Sequence, residues 1–302
     1  MDQSALVTVQ TAPDRPAREG VTPVTQQSLF APDPNAATHK PGGNRPERLK
    51  LLIVVKAAPN PSQTYGETVC VAALRMDLEK SQWVRLYPIN FRALDDPNAF
   101  RKYDIVSVDA KPAPADPRHE SWRPIVSTLQ KVGHLDGWTK RLPWVADHVE
   151  ESMCSLLAAV RASPPARSLA AIRPRQIDGL DIEPHPGWTP DEQAKIDAYI
   201  QQEALFESGP RTALEAPRFK AWYRYRCHTR ACKGHRQGVL DWEFVAHQRH
   251  LRAHDDTAAQ QELRKRWLEE ICAIDRDTVF FVGNQAKRQH VFSVLGAFYP
   301  RR

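Results

Sequence analysis

The residues with the most chemical potential lie close together in Cys227-x4-Cys232-x2-His235, inside YRYRCHTRACKGH. Thiolate sulfur and imidazole nitrogen are soft to borderline donors, and this set suits a tetrahedral zinc ion. Four residues between the cysteines let both sulfurs reach one ion, and Gly234 eases the return before His235. A closed structural site takes four ligands. His247 and His250 are the candidates for the fourth, being three residues apart and so on one face of a helix, with His228 and His254 as further options. Three ligands and an open position would instead be catalytic, with Asp241 or Glu243 as general base. Cys70 and Cys154 stand among apolar residues and read as packed thiols rather than nucleophiles. Asp181 and Glu183, near His185, read as turn residues.

The strand leading into this knuckle is cationic. From Phe219 to Cys227 the residues alternate, with Phe219, Ala221, Tyr223, Tyr225 and Cys227 on one face and Lys220, Trp222, Arg224 and Arg226 on the other. Arg230, Lys233 and Arg236 extend the charge through the knuckle. Between Arg211 and Arg236 there are eight basic residues and one acidic residue, Glu215. The net charge of +6 is therefore uneven: residues 211–302 carry 18 Lys and Arg against 10 Asp and Glu. Cations neutralise phosphates and an exposed indole stacks on bases, so Lys220, Trp222, Arg224, Arg226, Arg230, Lys233 and Arg236 form an expected nucleic-acid surface, DNA being favoured over RNA. The alternative is a solvated face whose arginines pair with acidic neighbours.

These groups must be positioned by the rest of the 302 residues, of which 41% are hydrophobic, enough for a core. The 25 prolines cluster and mark linkers. Residues 1–47 are polar, Pro-rich and aperiodic and read as a disordered tail. Four short β-rich runs follow, at 51–55, 67–74, 83–87 and 103–109, with no helix between them. They predict an antiparallel β module over 48–125, a small and OB-like barrel, with 111–125 irregular. A connector, part helical and part irregular, is expected over 126–210. It would hold one helix over 146–161, with Val149, Met153, Leu157 and Val160 on its buried face, and another from the capping box Thr189-Pro190-x-Glu192. Residues 211–302 would form the knuckle-containing module. A helix opening at Thr257 carries Leu263, Trp267, Ile271 and Ile274, and two strands over 278–283 and 291–299 close the chain. The class is α+β.

No run of 18 apolar residues and no secretory leader pattern is present, so a cytoplasmic protein without membrane contact is expected. Phosphate-binding glycine loops, HExxH and GxSxG are all missing, and no D…ExK nuclease core is evident. Gln26-Gln27-Ser28-Leu29-Phe30 resembles the bacterial sliding-clamp-binding peptide, departing from it at Gln27. The resemblance implies docking of Leu29 and Phe30 in an apolar pocket of the β clamp, with Gln26 and Ser28 at its rim. The stretches ETVCVAAL, WVRLYPINFRAL, KYDIVSV, DWE and FFVGN, with the knuckle, resemble a bacterial family of hypothetical proteins across most of 50–300. The first of these is also similar to the dual-OB-containing barrels, which implies nucleic-acid binding.

The expected function is a nucleic-acid-associated binding or adaptor protein, brought by the clamp to replication, repair, mobile-element or defence processes. Two alternatives stand beside it. One is a metal-dependent enzyme acting on nucleic acid, a nuclease or base-modifying enzyme. The other is a protein-interaction subunit that binds other subunits of a larger complex.

Overall fold

In the computed structural model, the described residues are 43–61, 68–90, 99–163, 167–201, 213–286 and 288–302. Residues 1–42 of the expected tail, with the clamp-like peptide at Gln26, Ser28, Leu29 and Phe30, lie outside them, and its last residue, Glu47, instead opens the first strand. The chain is α+β, and it begins with a closed five-stranded barrel. Strands β1 (Glu47–Lys56), β2 (Thr68–Arg75) and β3 (Trp83–Asn90) pair antiparallel in sequence order. Strand β3 pairs parallel with β5 (Ser121–Pro124), β5 antiparallel with β4 (Asp104–Pro112), and β4 returns to β1. Strand β6 (Gln130–His134) adds to β4 outside the ring. The four expected runs are thus β1 to β4, and the segment expected to be irregular supplies the closing strand β5.

A continuous apolar run such as Leu51–Val55 has a specific cause here. Leu49, Leu51 and Ile53 fill the barrel with Val71, Leu86, Val108 and Trp122. Leu52, Val54 and Val55 point the other way, into a second core with Leu169, Ala171, Phe281, Leu295 and Phe298. β1 is therefore buried on both faces, which the period-2 rule reads as an unbroken hydrophobic stretch.

The second core is covered by a four-stranded sheet in the order β13 (Arg288–Phe298), β12 (Val279–Gln285), β8 (Leu169–Ile172), β7 (Val149–Glu150). Its other face, with Ala170, Ile172, Phe280 and Val282, belongs to a third core. That core is shared with the antiparallel sheet β11 (His235–Gly238), β10 (Phe219–Arg226), β9 (Gln176–Pro184) and with helices α2 (Met153–Ala162), α4 (Trp242–His250) and α5 (Asp256–Arg264). No helix among the described residues is long and apolar enough to cross a membrane.

The helix expected over 146–161 divides. α1 (Gly137–Ala146) ends where it was to begin, β7 follows, and α2 starts at Met153. Ser152 sets that start: its Oγ accepts from the Ser155 amide at 2.9 Å, an N-cap that the apolar spacing alone does not reveal. α2 buries Met153, Leu156 and Val160, while Val149 sits in a strand. α3 (Pro190–Gln201) begins as expected: the Thr189 amide donates to Glu192 Oε2 at 2.9 Å, and the Glu192 amide to Thr189 Oγ1 at 3.3 Å. α5 is capped by Asp255, whose carboxylate accepts from the Ala258 amide at 2.8 Å, rather than by Thr257. It continues through a wider π turn over Lys265–Glu270, and Ile274 ends 88% exposed, off the helix altogether.

Candidate metal centre and basic cleft

Strand β10 ends at Arg226, and β11 begins at His235. The knuckle is the connection between them. Gly234 has φ +104°, a left-handed value that favours glycine. Two hydrogen bonds tie the loop to the start of α2: the His228 amide donates to Glu151 O at 2.8 Å, and the Ser152 and Thr229 hydroxyls meet at 2.6 Å. This contact brings in the residue that spacing missed. Cys154, in the first turn of α2, joins Cys227, Cys232 and His235, and the four ligand atoms all lie within 4.8 Å of one another.

The edges of this group test its fit to a metal. Cys227 Sγ lies 3.6 Å from Cys154 Sγ, and His235 Nε2 lies 3.5 Å from Cys154 Sγ and 3.3 Å from Cys232 Sγ. A tetrahedron built on Zn–S of about 2.3 Å and Zn–N of about 2.0–2.1 Å has S···S edges of about 3.8 Å and S···N edges of about 3.6 Å. No disulfide forms, and 3.6 Å is well beyond S–S bonding distance. Burial, with Cys227 and Cys232 beside it, pushes the Cys154 thiol up to about 12. Burial also opposes ionisation of Cys227, but hydrogen bonds from the Cys154 amide, His235 and Thr229 outweigh it and draw that thiol down to about 5. Three thiolates this close repel one another unless a positive ion sits among them.

Four ligands leave no open position. His247 and His250 are not in the group: His247 Nδ1 accepts from Trp267 Nε1 at 3.2 Å, and His250 is exposed at the end of α4. Cys154 is a ligand candidate rather than a packed thiol because the N-terminal turn of α2 faces the knuckle. Asp241 and Glu243 are elsewhere, both bonded to the buried Lys102 ammonium at 2.7 and 2.9 Å. Burial opposes the charge on Lys102, but Asp241 and Glu243 prevail and hold it above its ordinary range. Asp241 also caps α4, accepting from the Glu243 amide at 2.9 Å.

The alternation along β10 is as expected, with Phe219, Ala221, Tyr223 and Tyr225 buried and Lys220, Arg224 and Arg226 exposed. The exposed face is not free charge, because β9, read as a turn, is a strand that lays its acids alongside. Asp181 accepts from Arg224 at 2.8 Å and Arg236 at 3.0 Å. Arg236 also reaches Glu183 at 2.9 Å, and Arg226 lies 3.6 Å from Asp178. Asp181 is held below the usual carboxylate range; burial works against this and the bonds from Arg236 and Arg224 overcome it. Trp222 is half-buried, with the Arg236 guanidinium 4.1 Å above its ring. Arg230 and Lys233, on the knuckle itself, are exposed and form no ion pair among the described residues.

A cavity of about 640 Å³ opens between the barrel and the C-terminal strands and helices. Arg101, Tyr103, His134, Trp138 and Arg141 line one side, and Glu243, His247, Arg266 and Tyr299 the other. None of the metal-ligand candidates lines it. Its walls come from segments more than a hundred residues apart, so no local spacing announces it.

Fold and site together define a two-part protein: a β-barrel joined to a mixed module whose knuckle can hold a metal through three cysteines and a histidine. The chain belongs to the family of the domain of unknown function DUF8757, whose model matches residues 149–302. A second domain of unknown function, DUF8758, matches residues 47–147, the barrel and β6 together with α1. No curated protein matches the sequence.

Proposed function

We propose that this protein is a nucleic-acid-associated binding protein in which a structural zinc ion, held by Cys154, Cys227, Cys232 and His235, fixes a cationic loop for contact with a phosphate backbone. The observation that carries the reading is the combination in one loop of the four-ligand group with Arg230 and Lys233, which have no ion-pair partner among the described residues. The closed ligand set suits a structural rather than a catalytic ion, because no position is left for water or substrate. Zinc would supply rigidity here and no reaction step. The neutralised face of β10 contributes less than its charge count implies, so the affinity rests on Arg230, Lys233 and Lys220. The peptide Gln26–Phe30 is proposed as the recruiting element for the sliding clamp.

Elemental analysis and salt-dependent oligonucleotide binding test the reading together. One zinc per chain is expected. Oligonucleotide affinity should fall with salt, and the Arg230→Ala/Lys233→Ala variant should lower the salt slope by about 2, one for each phosphate no longer neutralised. Binding that is insensitive to salt, or unchanged in that variant, refutes the nucleic-acid part. A metal-free protein of full stability refutes the zinc part. Clamp capture that survives Leu29→Ala/Phe30→Ala removes the recruiting peptide.

A further inference from the structure

We infer that the basic cleft between barrel and C-terminal module is a binding site for a nucleoside phosphate, the phosphate held by Arg141 and Arg101 and the base stacked on Trp138 and Tyr299. This inference is independent of the knuckle and of the function proposed for it.

The cation that matters is Arg141. Two of the four Lys and Arg side chains that line the cleft are held by carboxylates: Lys102 by Asp241 and Glu243, and Arg266 by Glu270 at 2.8 Å. Arg141 has none among the described residues. Its Nε donates to Leu135 O at 2.7 Å, and one terminal nitrogen lies 3.5 Å from His134 Nε2. Its guanidinium carbon lies over two aromatic rings, 3.9 Å from the centroid of Tyr103 and 5.2 Å from that of Trp138. A guanidinium fixed by stacking, with donors unspent, is already arranged for bidentate contact with phosphate. Arg101 lines the same cavity, with its side chain 73% exposed and only a long, 3.9 Å approach to Asp104. The acids that line the cleft are Asp136, 82% exposed, and Glu243, which is engaged with Lys102.

The second observation is a buried polar atom without a partner. Tyr103 is only 6% exposed, and its hydroxyl meets no hydrogen-bond partner among the described residues. Burial raises its phenol well above the ordinary range, so it keeps its proton and remains a donor. Tyr103 is also the one non-glycine residue with positive φ among the described residues, at +67°. The chain holds it there through both backbone groups, its amide to Ile53 O at 2.6 Å and its carbonyl to the Leu135 amide at 2.9 Å. Strain retained at a cavity wall by surrounding contacts is characteristic of binding sites.

The third is an aromatic platform. Trp138 is half-buried, tilted against Tyr299 at 4.8 Å and edge-on to Phe298 at 5.2 Å. These contacts fix the indole while leaving part of it in the cavity, the arrangement that stacks on a base. His247 contributes an edge. Its Nδ1 accepts from Trp267, and burial, then Arg266 and His250, lower its basicity. With Nδ1 accepting, the neutral ring carries its proton on Nε2, a donor. At about 640 Å³ the cavity has room for a nucleotide.

The same chemistry belongs to a free nucleotide and to the phosphorylated end of a strand. Calorimetric titration of the full chain with AMP, inorganic phosphate and a 5′-phosphorylated trinucleotide distinguishes them. AMP is expected to bind at least about tenfold tighter than phosphate, from base stacking. Arg141→Met and the exposed Arg101→Met should each weaken AMP about tenfold or more, and Trp138→Leu should remove the preference for AMP over phosphate. Arg101→Met leaves the packing untouched, so the test survives if the other variants misfold. Trinucleotide bound more tightly than AMP assigns the site to strand ends; equal or weaker binding assigns it to free nucleotides. No AMP binding at millimolar concentration, or AMP binding indifferent to both arginines, overturns the inference. Arg230→Ala/Lys233→Ala should leave AMP affinity unchanged, so the cleft and the knuckle can fail separately.

Discussion

Replacing Cys154 by serine separates a four-ligand centre from a three-ligand knuckle. Zinc knuckles bind their metal with an apparent free energy of roughly 10–16 kcal/mol at neutral pH. One of four ligands accounts for about a quarter of that, about 2.5–4 kcal/mol, so zinc affinity should fall roughly 70- to 900-fold. The geometry supports so large a share. Cys154 Sγ makes two tetrahedral-length edges, 3.6 Å to Cys227 and 3.5 Å to His235, and its own amide helps stabilise the Cys227 thiolate. Competition with a chromogenic chelator gives the zinc dissociation constant directly, and melting with and without chelator gives the linked stability. Wild type should lose stability on chelation, and Cys154→Ser should already be destabilised, with a smaller response to the chelator. His247→Ala and His250→Ala should change neither quantity. Unchanged zinc affinity in Cys154→Ser, or a large loss in His247→Ala, refutes the four-ligand assignment.

Two further perturbations follow from particular residues. Gly234→Ala forces an L side chain into φ +104° with no atom nearer than 3.9 Å to its Cβ, so the cost is conformational, about 1–2 kcal/mol, readable as a lower melting temperature. His148 is tilted against Trp83 at 5.3 Å, and burial lowers its imidazole to about 4. Its folded value lies below the unfolded one of about 6.5, so its contribution is present above pH 6.5 and fades as pH falls toward 4. Denaturant titration should show about 1–2 kcal/mol lost between pH 7 and 5, and His148→Phe should reduce that loss; an identical pH profile in the variant rules the residue out.

How much of this was legible in the sequence depended on whether the cause was local. β1 to β4 were readable because a barrel strand alternates, and Leu51–Val55 because a doubly buried strand does not. The Thr189 capping box was readable because its bonds span three residues. β9 was not, because its alternation in Gln176–Pro184 is broken by a register shift at Gly179, and its acids, which meet the arginines of β10, read as turn residues. The neutralisation of that face was hidden for the same reason. Cys227, Cys232 and His235 were legible as a set, whereas Cys154 is 73 residues from Cys227 and reaches it through the capped start of α2. Its surroundings of Leu and Ala imitate a core position. The cleft was the least visible feature, since Tyr103 and Trp138 meet Tyr299 only once barrel and C-terminal strands have docked.

Strand β1 has a consequence for inheritance. One side of it closes the barrel and the other is roofed by Phe281, Leu295 and Phe298. The two matched segments meet at residue 148 in sequence, yet they share a strand in space. Exchange of either half by recombination would have to bring a matching apolar partner for Leu52 and Val54, or leave them wet. Substitutions at these positions in one half are therefore expected to be compensated in the other. The two segments should melt in one calorimetric transition, as a single selectable unit with two names.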